Sequence, residues 1–130
     1  MLRWLFRKRI EAAATEAQLA LGSPVIVDEA ALFFGLRSRG AAQVRGNGYL
    51  AASDHALYFR MWVGKRKLHI PRDRMTGVSA PRSFLGKTVG HTLLAISFTN
   101  DEGQLDEAAW LVRDLSAWQA TLGLGPPPAS

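Results

Sequence analysis

The chain has 130 residues, 48% of them apolar, which is enough for one core and favours a single domain. It has no cysteine, which excludes a disulfide scaffold, a thiolate zinc site and a cysteine nucleophile. Its net charge is +5, its charged fraction of 21% is too ordinary for a disordered polyampholyte, and no apolar run approaches the roughly 20 residues of a membrane-spanning helix.

The first twenty or so residues predict an amphipathic helix. Leu2, Leu5, Phe6, Ile10, Ala13, Ala17 and Leu21 recur at spacings of three and four, and Glu11 to Ala20 is rich in helix formers. Gly22, Ser23 and Pro24 end it. Basic residues interrupt its apolar start, unlike a secretory signal. After Pro24 the period shortens. Alternation over Leu32, Phe34 and Leu36 predicts a strand, and Gly46–Asn47–Gly48 predicts a turn. A short strand follows over Tyr49 to Ala52, and Ser53–Asp54–His55 turns the chain. Alternation is cleanest from Ala56 to Val63, with Leu57, Phe59, Met61 and Val63 on one face and Tyr58, Arg60 and Trp62 on the other. Gly64–Lys65 predicts a tight turn, after which Leu68 and Ile70 point inward and Lys67 and His69 outward. Further strands are predicted near Met75 to Ala80, from His91 to Phe98 and from Gln104 to Val112. Pro81 bars continuation of the first of these, and Asn100 to Gly103 turns between the last two. The helical period then returns through Leu111, Leu115, Trp118 and Leu122, with Asp114 at the amino end and Gly123 at the carboxyl end. The prolines at 126–128 predict a disordered tail.

Seven short strands and a closing helix predict a sandwich or barrel whose open end the helix plugs. The residue order resembles the pleckstrin-homology-like superfold, and most of all its GRAM-type and bacterial members. The matching residues are Gly48–Tyr49–Leu50, Ser53 through Phe59, Leu68–His69–Ile70–Pro71, Met75 with Val78, and Asp114 through Trp118 to Leu122. These are apolar and turn positions, so the resemblance bears on fold more than function. It implies a mainly β chain: a seven-stranded antiparallel barrel or sandwich at residues 29–123, capped by a C-terminal α-helix. An amphipathic helix at 1–22 precedes it, and 124–130 is the tail. The competing OB-like barrel places a helix mid-chain, where residues 45–110 show no helical period.

Catalytic constellations are missing from the sequence. His55, His69 and His91 have no metal-ligand spacing, Asp106 and Glu107 face opposite sides of a strand, and Ser83 and Ser97 lack a nucleophile-elbow context. Gly46–Asn47–Gly48 lacks a phosphate-loop lysine. No enzyme, cofactor or metal is expected.

Charge is more informative. Residues 31–99 hold eleven bases against Asp54 and Asp73, while residues 10–30 hold only acids and residues 100–130 hold five acids against Arg113. In the topology that the resemblance implies, the first, third and sixth loops share one rim. Arg37, Arg39, Arg45, Lys65, Arg66 and Lys67 would gather there as an anion or lipid-headgroup site, with Asp101 and Glu102 facing them. Arginine forks suit phosphate oxygens. A second candidate contact is the basic, aromatic start, comprising Arg3, Trp4, Leu5, Phe6, Arg7 and Lys8. It would meet an anionic membrane or a partner, unless Leu5, Phe6 and Ile10 dock on the barrel or a second subunit.

The expected function is a non-catalytic binding module in the cytoplasm, peripheral at the inner membrane face, that takes a protein partner or anionic lipid. The alternative is a nucleic-acid binder that uses Tyr58, Arg60 and Trp62 as a stacking platform beside Lys65–Arg66–Lys67, unless Tyr58 and Trp62 pack under the helix or against the amino-terminal segment. Twelve arginines against four lysines, with abundant alanine, point to a GC-rich bacterial genome.

Overall fold

The alternating pattern after Pro24 becomes one antiparallel sheet. The computed structural model describes residues 6–40, 45–87 and 90–123. Helix α1 (Arg7–Leu21) is followed by strands β1 (Ile26–Leu36), β2 (Gly46–Ala52), β3 (Ala56–Met61), β4 (Lys67–Pro71), β5 (Met75–Ser79), β6 (Leu94–Thr99) and β7 (Leu105–Leu111), then helix α2 (Leu115–Leu122). The sheet order is β4–β3–β2–β1–β7–β6–β5, so β4 and β5 are the two edges although only one turn separates them in sequence. The mainly β architecture with a helix at either end is the one expected.

The sheet curls on itself. Phe33 of β1, Phe59 of β3 and Trp110 of β7 meet with ring centroids 4.9–5.6 Å apart. Leu50, Leu57, Ile70, Leu94 and Ile96 complete the same core. Helix α2 plugs it with Trp118 and Leu122, both almost fully buried. Asp114 caps α2 by accepting a hydrogen bond from the Ala117 amide at 3.1 Å. The prolines at 126–128 lie outside the described residues.

Three local readings change. Gly46–Asn47–Gly48 is not a turn but the start of β2, with Gly48 opposite Met61 and Asn47 opposite Leu32. A Cβ on Gly48 would lie 2.5 Å from both the Arg60 carbonyl and the Phe59 ring, so close approach explains this glycine. β1 is longer than its alternation implies because Asp28 turns inward at a bulge. Its carboxylate accepts from the Ala30 amide at 2.9 Å and the Arg113 amide at 2.7 Å. His91 lies before β6 rather than in it.

Two further apolar clusters lie on the sheet's outer surface. Helix α1 sets Ile10, Ala13, Ala17 and Leu21 against Tyr49, Ala51, Ala56 and Tyr58 of β2 and β3. Small alanines let the helix approach the strands closely. Gly22 ends α1 with φ of +78°, its amide donating to the Gln18 carbonyl at 2.8 Å. Elsewhere, Phe84 and Leu93 cover Phe34, Ala95 and Ala109. No helix among the described residues is long and apolar enough to cross a membrane.

Candidate functional site

Where the curled sheet fails to close, a groove of about 610 Å³ runs beside β4. All five residues of β4 line one wall, and residues 98–102 at the β6–β7 turn line the other. Leu36, Leu68, Ile70 and Phe98 supply apolar surface, and Arg39, Lys67, Arg74, Asp101 and Glu102 supply charge. Asp106 holds one corner: its carboxylate accepts from the Ser38 amide at 3.0 Å and the Ser38 hydroxyl at 2.6 Å. That clasp fixes the backbone next to Arg39.

The structure divides the six cations expected at one rim. Arg39 and Lys67 line the groove, and Arg66 lies within electrostatic reach of Arg39. Burial lowers the Arg66 pKa, and the Arg39 charge lowers it further. Lys65 is exposed in the β3–β4 turn. Arg37 and Arg45 are engaged on the outer face instead. Arg37 forks onto Glu107 at 2.7 and 2.8 Å with its guanidinium 4.8 Å from the Phe84 ring centre, and Arg45 sits 5.3 Å from that of Phe34. Buried phenylalanine rings there give each a cation–π partner. Asp101 and Glu102 face the groove as expected, and Asp101 pairs with Arg74 at 2.6 Å.

The strand face read as a stacking platform is covered by α1. Tyr58 is buried there, and its hydroxyl donates to Glu16 of the helix, which Arg60 also reaches at 2.5 Å and Lys67 at 3.3 Å. Burial, and then the Glu16 hydrogen bond, pushes the Tyr58 pKa well above its ordinary value. Glu16 is held below the usual carboxylate range, chiefly by the Tyr58 hydroxyl. Burial opposes this, and Lys67 and Arg60 add to it. Trp62 is pinned from three sides: its indole donates to the Glu29 carbonyl at 2.8 Å, its own carbonyl accepts from Arg9 at 2.9 Å, and its ring stacks on Phe6 at 5.4 Å.

At the basic start, Phe6 therefore serves the dock on Trp62. Arg7 faces solvent with a 3.9 Å pairing to Glu11, and Lys8 is exposed. Arg3, Trp4 and Leu5 lie outside the described residues. Sequence reasoning missed Glu16 and Asp106. The available signal for Glu16 was Tyr58 and Arg60 sharing one strand face, which needs a carboxylate once that face is covered. No cluster of three or more His, Asp or Glu side chains suited to a metal occurs among the described residues.

No protein-family model matches the chain, and no curated protein does. Two solved structures are similar in fold. One is a chain of the 8S snRNP assembly intermediate, with a TM-score of 0.57 and 12% identity over 84% of this chain and 89% of that one. The other is the C-terminal domain of an unknown protein from Leishmania infantum, with a TM-score of 0.50 and 17% identity over 94% and 98%. At such identities the likeness concerns the fold alone.

Proposed function

We propose that the protein is a non-catalytic binding module of pleckstrin-homology-like type, acting at the cytoplasmic face of a membrane on an anionic lipid or on a protein partner there. The observation that carries this reading is the pair Arg39 and Arg66. Arg39 lines the groove, Arg66 immediately precedes groove-lining Lys67 and feels the Arg39 charge, and among the described residues neither forms an ion pair with a carboxylate. An anion that reaches both guanidiniums would relieve their mutual repulsion, and their planar forks suit phosphate or carboxylate oxygens. Exposed Lys65 adds charge to the same turn. Arg7 and Lys8, both solvent-facing on α1, would add long-range attraction to an anionic surface.

Co-sedimentation with vesicles of phosphatidylglycerol and phosphatidylcholine, and of phosphatidylcholine alone, tests the lipid arm. The expected result is binding to the anionic vesicles that falls steeply with salt. Binding should drop at least about tenfold in the double reversal Arg39→Glu with Arg66→Glu, as expected if each cation near an anionic surface contributes about 1 kcal/mol. Binding that ignores both salt and the reversal would overturn the lipid arm.

A further inference from the structure

The free edge of β4 carries more information than its charges. The register of β3 with β4 pairs Arg60 with Lys67 and Ala56 with Pro71. Hydrogen bonds flank that ladder at both ends, from the Met61 amide to the Arg66 carbonyl at 3.1 Å and from the Arg72 amide to the His55 carbonyl at 2.8 Å. Antiparallel bonding alternates, so Arg66, Leu68, Ile70 and Arg72 turn their backbone groups to β3. Lys67 and His69 therefore direct their amides and carbonyls away from β3, and Pro71 directs a carbonyl. No strand lies on that side among the described residues. A row of unsatisfied groups is ordinarily blunted or covered. Here Lys67 and Pro71 blunt the two ends of a short strand, and the stretch between them opens onto the 610 Å³ groove.

We infer that this edge takes an extended peptide by strand addition, the peptide carrying apolar side chains at alternate positions and an acidic group at the end beside Arg39 and Lys67. The inference deepens the protein-partner arm of the binding-module reading and rests on it. Five residues of edge span about 17 Å at about 3.3–3.4 Å per residue, and the groove volume lies in the range of about 300–1,000 Å³ typical of ligand clefts. A strand added next to β4 would pair with the outward groups of Lys67 and His69. Its inward side chains would fall on Leu36, Leu68 and Phe98, which already line the groove. Asp101 is neutralised by Arg74 and Lys67 shares Glu16, whereas Arg39 has no carboxylate partner among the described residues. An acid on the peptide supplies that partner. Main-chain bonds would give affinity and apolar contact along the groove selectivity, as in other strand-addition sites.

The test uses the full chain as bait for a phage-displayed library of random seven-residue peptides, followed by synthesis of an enriched peptide. Enriched sequences are expected to alternate apolar and polar residues with an acid near one end. Bound peptide should slow amide hydrogen exchange at Lys67 and His69 and leave Val78, on the β5 edge, unchanged. N-methylation of one alternate set of peptide amides should abolish binding, while the other set tolerates it. Arg39→Glu, on an exposed turn, should weaken binding about tenfold. His69→Pro, which removes an outward donor but no β3–β4 bond, should weaken it about fivefold. The proposal is overturned by absence of enrichment, by binding that leaves Lys67 and His69 exchange unchanged, or by equal tolerance of both methylated sets. A blank selection with salt-sensitive vesicle binding intact overturns the edge proposal alone. Blanks in both overturn the module reading as well.

Discussion

The two helices dock on the same sheet by different physics. Helix α2 is eight residues long and enters the core with two large side chains, Trp118 and Leu122. Helix α1 is fifteen residues long and lies on the outer surface through a stripe that is half alanine, supplemented by the Glu16 knot with Tyr58, Arg60 and Lys67. Removal of α2 would open the core to water, whereas release of α1 would bare one face and leave the core shut. The comparison teaches that burial of large side chains, with a cap at Asp114, anchors the first, while the second depends on close fit and on the Glu16 charge cluster, which ties its docking to pH.

Trp118→Ala should break the comparison from the α2 side with the largest effect. A fully buried tryptophan truncated to alanine costs about 3–5 kcal/mol, expected as a matching loss of stability in urea unfolding with every probe moving together. Ala17→Leu tests the α1 side. Ala17 has no exposed surface, so the added bulk must lift the helix, at about 1–3 kcal/mol. The NMR signal of the Trp62 indole should shift while that of Trp110 stays, which separates release of α1 from loss of the core.

A smaller effect is expected at Glu16. Its pKa is lowered in the folded protein, so its contribution is present above the ordinary carboxylate range and is lost as pH falls through the folded value. Acidification should therefore loosen α1 before it unfolds the sheet. Glu16→Gln should cost about 1 kcal/mol or less at neutral pH, in keeping with a part-exposed ion pair, and should flatten the acid limb of a stability–pH curve. An unchanged acid limb in that variant would refute the assigned role. The smallest effect belongs to Arg7→Ala, which removes an exposed pairing with Glu11 at 3.9 Å and should change stability by less than about 0.5 kcal/mol.

Much of this was legible locally. The α1 stripe from Ile10 to Leu21, the alternation of Leu57 and Phe59, the turn at residues 100–103 and the Asp114 cap all follow from side-chain period and capping chemistry over a few residues. The candidate site was legible only in part. Arg39, Lys67, Asp101 and Glu102 share a groove, but Arg37 and Arg45 do not join them: Arg37 is held by Glu107 and the Phe84 ring, and Arg45 lies over Phe34. The stretch around Gly48 misled because glycine serves both turns and close contacts, and only the Arg60 carbonyl across the ladder distinguishes them.

By itself, then, the sequence determined element types, their order and the apolar faces, since each depends on the few neighbours a residue meets along its own strand or helix. The tertiary structure decided three things: that α1 rather than solvent would cover Tyr58 and Trp62, two readings the alternation left open, that Glu16 would meet Arg60 and Lys67 from more than forty positions away, and that β4 would be left as a free edge beside a groove. Those outcomes depend on how far a twisted seven-stranded sheet curls before its edges meet.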